Sequence, residues 1–204
     1  MLVLGLTGTV ASGKNFVASI FEELGAKIFD ADKEVHDVFE NDKNVFDQIK
    51  KYFEDSIQNN KINRKILGNL VFNNKEKLNL LEDIIHPEIK RRRENFINKC
   101  KKNNESLVIL NIPLLFEAKT HLKCDKNILV ITPQKLQRER FLKRAKENNN
   151  NFDKKLFIEK FDSILQNQMP NYQKEKLADF VIKNDKDKNF VLKQVKEILK
   201  KLNI

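Results

Sequence analysis

A short loop near the start of the chain constrains its fold more than any other feature. Gly8-Thr9-Val10-Ala11-Ser12-Gly13-Lys14-Asn15 follows a nearly continuous apolar run, Leu2 to Leu6, and precedes Phe16, Val17, Ile20, Phe21 and Leu24 at helical spacing. The run predicts a buried parallel strand, and the spacing predicts an amphipathic helix with Gly25 at its stop. Where G-x-x-x-x-G-K joins a strand to a helix, successive backbone N–H groups turn inward, and the positive end of the helix and the lysine point the same way. Such a concavity binds phosphate. Three of the chain's five glycines fall in the first thirteen residues, so they are concentrated where the backbone has to wrap.

A second short strand, Ala26 to Phe29, ends in Asp30-Ala31-Asp32. Strand, loop, helix and strand in quick succession make a βαβ unit. From about residue 33 to 102 the pattern is almost wholly helical, with apolar residues three and four apart (Leu67, Leu70, Val71; Leu78, Leu81, Ile84, Ile85). Asn60-Lys61 and Asn73-Asn74 predict breaks between helices. His86-Pro87 predicts another, because the residue before proline disfavours the α region. An insert without strands is a candidate substrate-binding subdomain. Strands return at Ser106 to Ile112, Asn127 to Ile131 and Phe180 to Ile182. Between and after them, helices are expected at Gln134 to Lys146, Phe152 to Gln168 and Lys188 to Leu202, with a polar tip at Asn148 to Asn151. About five strands alternating with helices predict an α/β fold with a parallel sheet.

Composition narrows the partners. The 204 residues carry 39 Lys+Arg against 29 Asp+Glu, a net charge of +10, which invites a nucleic-acid reading. The surplus is mostly lysine, asparagine is also abundant, and no basic block is interleaved with aromatics as a stacking platform needs. Joint Lys and Asn excess is what AT-rich codons produce, so no nucleic-acid partner is expected. Against that background the seven arginines stand out, since the planar guanidinium fork has uses lysine lacks. No apolar run reaches the length of a membrane span, the apolar start lacks a basic leader region, and two cysteines are too few for a disulfide scaffold. A cytoplasmic location without membrane contact is the expectation. His36 and His121 have no ligand-like spacing to each other or to Cys100 and Cys124, so no zinc site is expected.

Two residues near the loop bear on chemistry. Asp32 follows the second strand, at the edge of an open α/β sheet where ligands bind. A carboxylate there is placed to accept a hydroxyl proton as that hydroxyl attacks a γ-phosphate. Asp30 reads instead as a turn or cap residue. The loop departs from its pattern at Asn15, where a Ser or Thr hydroxyl normally serves magnesium. The Asn15 amide oxygen is the remaining candidate metal ligand, directly or through water.

The residues together resemble the dephospho-coenzyme A kinase family. The opening GLTGTVASGK with Asp30-Ala31-Asp32 is similar to the family's start. So are Leu67-Gly68, Val71-Phe72, Leu81-Glu82 and His86-Pro87, then Pro113-Leu114-Leu115-Phe116-Glu117. Gln137, Arg140 and Arg144 on one helix, and Gln168-Met169-Pro170, Lys176, Ala178-Asp179-Phe180, Ile182 and Asn184, continue the match in order along nearly the whole chain. The resemblance implies a three-layer P-loop kinase of one domain over residues 1–204, with the helical insert at about 33–102 and a lid at about 140–168. It implies ATP with Mg²⁺ as donor and the 3′-hydroxyl of dephospho-CoA as acceptor, in the last step of CoA biosynthesis. Asp32 would be the general base. Lys14, with Gly8, Val10, Ala11, Ser12, Gly13, Asn15 and Phe16, would hold the ATP phosphates. Arg140 and Arg144 would face the transferring charge from the lid, and Asn184 would lie near the adenine. Thr9, His86, Pro113, Leu114 and Leu115 would line the dephospho-CoA side.

Departures from the family pattern fall together. Besides Asn15 and Phe16, Asn111 stands where many members carry aspartate, Ala145 follows Arg144 where aspartate is common, and Ile164 stands where arginine is expected. They keep two alternatives open: a nucleotide-binding protein with impaired transfer, and a kinase for another nucleoside-like hydroxyl. The triplet Arg91-Arg92-Arg93 reads either as a substrate phosphate contact or as a solvated helix face, since three consecutive residues cannot share one face.

Overall fold

The computed structural model describes residues 1–72, 74–149 and 152–204. The helix break expected at Asn73 and the tip expected at Asn150-Asn151 lie outside the described residues. In chain order the strands are β1 (Leu2–Gly8), β2 (Lys27–Asp30), β3 (Ile57–Gln58), β4 (Lys61–Ile62), β5 (Leu107–Asn111), β6 (Lys126–Ile131) and β7 (Phe180–Lys183). The helices are α1 (Lys14–Glu23), α2 (Ala31–Asn41), α3 (Lys43–Tyr52), α4 (Arg64–Val71), α5 (Lys75–Lys102), α6 (Gln134–Asn148), α7 (Lys154–Gln166), α8 (Asn171–Leu177) and α9 (Lys188–Lys201). The chain divides into two units, residues 1–29 with 100–204, and residues 30–99.

The first unit is built on the five-stranded parallel sheet, in the order β2-β5-β1-β6-β7. β1 lies at its centre, with Leu4 beside Ile109 and Leu6 beside both Asn111 and Ile128. Leu4, Leu6, Ile109, Ile128 and Val130 are buried with Val17, Ile20 and Phe21 of α1 and Val191, Val195 and Ile198 of α9. Each such side chain contributes roughly 1.5–3 kcal/mol on leaving water. Burial on both faces is why these strands read as continuous apolar runs. The register also brings the ends of β1 and β5, Gly8 and Asn111, to the same edge of the sheet.

β6 and β7 are tied at their start by Asp179. One carboxylate oxygen accepts from Lys126 Nζ at 2.8 Å and the other from the Asn127 N–H at 2.8 Å. Burial pushes this carboxyl up, but the bonds from Lys126 and Asn127 outweigh it and hold the group below the usual aspartate range. A depressed carboxyl stabilises the fold above its unfolded value and loses that contribution as pH falls through its folded value. Asp179→Asn should therefore lower Tm by about 2–4 °C at pH 7, with a difference that shrinks below about pH 4, in thermal melts across that range.

The second unit packs Val38, Val45, Ile49, Phe53, Leu67, Val71, Leu81, Ile84 and Ile85 into a core of its own. Its helix starts are capped by side chains: Asp30 accepts from the N–H groups of Asp32 and Lys33, Asp42 from Val45, and Asn63 from Lys65 and Ile66. Asp30 is thus the cap its sequence context suggested. Arg91 and Arg92 both bind Glu88, at 2.6 and 2.8 Å, and Arg92 also reaches Glu34 at 3.2 Å and contacts Asp37. The Arg91 bond holds Glu88 below the ordinary glutamate range, and the Arg92 bond does the same for Asp37. Arg92 thereby ties α5 to α2, while the Arg91 pair lies within α5.

Two expectations are corrected, and one helix is added. The stretch read as strand-free contains the antiparallel β3–β4 pair, Ile57 opposite Ile62, turning at Asn59 and Asn60 with φ of 48° and 59°. Two-residue strands are too short to show alternation, and asparagine is among the residues that tolerate this left-handed turn. α5 runs through Pro87 without a boundary at His86. Leu81, Ile84 and Ile85 before the proline and Ile89 after it all join the apolar core, so burial outweighs the roughly 3 kcal/mol that proline costs a helix interior. A further helix, α8, follows Pro170, which starts it with a pre-set φ.

Candidate active site

The loop after β1 takes the wrapped form its glycines allow. Ser12 N–H bonds back to the Thr9 carbonyl at 3.0 Å, Ala11 and Gly13 adopt φ of 58° and 85°, and Lys14 opens α1. Gly13 caps α1 and has no side chain of its own to accept from the first amides of the helix. This is the loop and helix start that the sequence predicted.

Side chains from four later segments fix the loop. The Ser12 carbonyl accepts from Asn184 Nδ2 at 2.8 Å, from Thr132 Oγ1 at 2.9 Å and from Arg140 at 3.4 Å, and Arg140 also donates to the Asn184 carbonyl at 3.0 Å. A Cβ on Gly13 would stand 2.0 Å from Asn184 Nδ2, so the glycine answers a close approach as well as a positive φ. Gln137 Nε2 donates to Thr9 Oγ1 at 2.9 Å, and the Val10 N–H donates to Gln168 Oε1 at 2.9 Å. Gln168 is itself anchored through its neighbour. Glu117 accepts from the Met169 N–H at 3.0 Å and pairs at 2.8 Å with Lys174, whose side chain is fully buried.

Lys14 lies in a small amide network. Its ammonium is 2.6 Å from Asn111 Oδ1 and 3.2 Å from Asn15 Oδ1, and Asn111 Nδ2 donates to Asn15 Oδ1 at 3.0 Å. Asn111 is completely buried at the end of β5, while Asn15 is exposed. P-loop enzymes hold magnesium with a hydroxyl at the first position and an aspartate, and Mg²⁺ favours one or two carboxylates with substrate phosphates. Two neutral amide oxygens that already share an ammonium do not fit that ion.

The other residues singled out by sequence are placed as follows. Arg140 donates to the Ser12 and Asn184 carbonyls, and Asn184 is buried against the loop. Arg144 is exposed one turn further along α6, and Phe16 is exposed on α1. Thr9 is buried under Gln137. The Pro113 carbonyl accepts from Thr7 Oγ1 at 2.8 Å, and Leu114 is exposed. Leu115 is wholly buried, in a core position beside Gly5, where an added Cβ would come within 2.7 Å of it. In the second unit, Asp32 is exposed in the first turn of α2 and His86 is exposed on α5. α6 and α7, in the segment expected as a lid, are joined by tilted ring contacts of Phe141 with Phe157 and Phe161 and by Arg138–Asp162 at 2.8 Å.

Sequence reasoning missed Thr132, Glu117, Lys174 and the loop-holding roles of Gln137 and Gln168. Gln137 carried a signal: it lies three residues before Arg140, on the same face of α6. Thr132, immediately after β6, carried none.

Among known proteins, the family model described as dephospho-CoA kinase matches residues 2–189. The dephospho-CoA kinase of Bartonella quintana is 35% identical over 202 residues, covering 99% of this chain and 98% of the relative. A dephospho-CoA kinase structure from Campylobacter jejuni is 30% identical and superposes with a TM-score of 0.67, covering 99% and 98% of the two chains. A crystal structure of a Thermus thermophilus protein superposes with a TM-score of 0.81 at 27% identity, covering 98% and 97%.

Proposed function

This chain belongs to the dephospho-CoA kinase family, and from that membership we propose that it transfers the γ-phosphoryl group of ATP to the 3′-hydroxyl of dephospho-CoA, giving CoA and ADP as the last step of CoA biosynthesis. One observation carries the chemical side of the reading. A phosphate loop followed by a helix start is built at the centre of a parallel sheet, with Lys14 held at its mouth.

In this reaction the 3′-oxygen forms a bond to the γ-phosphorus as the bond to the β,γ-bridging oxygen breaks, and the hydroxyl proton passes to Asp32. Little covalent chemistry falls to the protein, so positioning and electrostatics dominate. The loop amides and the α1 terminus receive the β- and γ-phosphates, and Lys14 meets the charge that develops on the leaving ADP. Arg140, Thr132 and Asn184 keep the Ser12 carbonyl turned away from the phosphates, so that the loop presents donors. Arg144, exposed on α6, serves the nucleotide. His86 and Leu114, both exposed, serve dephospho-CoA. Magnesium arrives on the phosphates of ATP, and no step is assigned to a metal held by Asn15. Among the described residues no helix is long and apolar enough to cross a membrane, and the cytoplasm is the proposed site of action.

The test is ADP formation from ATP with and without dephospho-CoA, at several Mg²⁺ concentrations. Dephospho-CoA should raise ADP formation by about 10²-fold or more, with the new phosphate on the 3′-oxygen by phosphorus NMR. Binding of ADP without dephospho-CoA-dependent turnover would instead identify a nucleotide-binding protein with impaired transfer.

A further inference from the structure

We infer that Asn15 and Asn111 work as one unit that positions the Lys14 ammonium, and that neither is a magnesium ligand; this rests on the reading of the loop as the ATP site.

The two residues differ from the usual pattern at separate places in the sequence, yet in the structure they touch. Asn111 accepts from Lys14 and donates to Asn15, a pair of roles that aspartate cannot fill because it has no donor when ionised. Asn15 accepts from both neighbours with one carbonyl oxygen. An aspartate at position 111 would therefore leave the bond to Asn15 Oδ1 without its donor. A threonine at position 15 beside that aspartate would restore a bond with the direction reversed, the hydroxyl donating to the carboxylate and the carboxylate still accepting from Lys14.

The same geometry bears on the metal. An ion bound at Asn15 Oδ1 would have to displace an ammonium and an amide hydrogen already on that oxygen. The pair is therefore spent on Lys14, which reaches for phosphate whether or not magnesium accompanies the nucleotide.

Calorimetric titration of ADP into the full-length protein, in EDTA and in excess Mg²⁺, separates the roles. Asn15→Ala and Asn111→Ala should each weaken ADP binding about 3- to 10-fold in both media, and the double variant no more than about twofold beyond the weaker single. Asn111→Asp alone should also weaken binding. Adding Asn15→Thr to it should restore affinity to within about threefold of wild type, and should make binding about tenfold or more tighter with Mg²⁺ than without. A merely structural role for Asn111 would not be rescued by a change at position 15. Losses confined to the Mg²⁺ titration would overturn the inference in favour of metal ligation, and losses that add in the double variant would overturn the pairing. Should the buried Asn111 variants fail to fold, Asn15→Ala at its exposed position decides by the same comparison of media. ADP binding needs no dephospho-CoA, so these results stand apart from whether the proposed acceptor is correct; failure of wild-type ADP binding would overturn the ATP site itself.

Discussion

Lys14→Met is expected to cut turnover by about 10²- to 10³-fold and to weaken nucleotide binding, while leaving a folded protein. Methionine keeps most of the aliphatic stem of a side chain that is 8% exposed, so packing against the loop changes little. The charge is what disappears. At the transition state the leaving oxygen of ADP carries more negative charge than the bridging oxygen of bound ATP, and a lysine aimed at it stabilises the later state more than the earlier. Turnover should therefore fall further than affinity, as a split between kcat and the ADP Kd. Stability responds to opposing effects: the buried ammonium no longer needs desolvating, but Asn111 Oδ1 and Asn15 Oδ1 each lose a donor. An unsatisfied buried acceptor costs roughly 1–3 kcal/mol, so Tm should move by no more than a few degrees. Steady-state kinetics with calorimetry on the same preparation checks both halves. Unchanged turnover would remove Lys14 from the mechanism.

The sheet and the loop were legible because their physics is local. Val3 to Leu6 and Leu107 to Asn111 are buried throughout, so they show as apolar runs, and a G-x-x-x-x-G-K turn can be recognised without knowing what surrounds it. What was hidden depends on pairs distant in sequence. Asn111 reads as a lost carboxylate until it is seen 3.0 Å from Asn15. Arg140 reads as an arginine aimed at phosphate, yet its donors go to the Ser12 and Asn184 carbonyls, 128 and 44 residues away. Leu115 reads as a substrate-lining residue because it belongs to a motif, but that part of the motif packs under Gly5 in the core. Pro87 misled for the converse reason: a local rule against helix continuation was overruled by the apolar residues on either side of it, which no window around the proline weighs. Long-range hydrogen bonds and core packing escape a linear reading for the same reason, since neither leaves a periodic trace.

Asp32→Asn carries the second large expected effect, and its neighbour supplies the control. Asp30 ends β2 and Asp32 follows it, but Asp30 is engaged as the cap of α2, accepting from the Asp32 and Lys33 N–H groups at 3.1 and 3.2 Å. Asparagine caps helices nearly as well as aspartate, so Asp30→Asn should leave turnover within about twofold of wild type. Asp32 occupies the exposed first turn of the same helix, where a carboxylate also favours the helix dipole by about 0.3–1 kcal/mol. Removing its charge should lower Tm by no more than about 4 °C. Turnover should fall by about 10²- to 10⁴-fold, because an amide cannot take the proton that the 3′-hydroxyl releases as it attacks phosphorus. ADP affinity should stay within about threefold, since the proton acceptor acts on the other substrate. Parallel losses of turnover and ADP binding would make Asp32 part of the scaffold of α2 and leave the proton to another group.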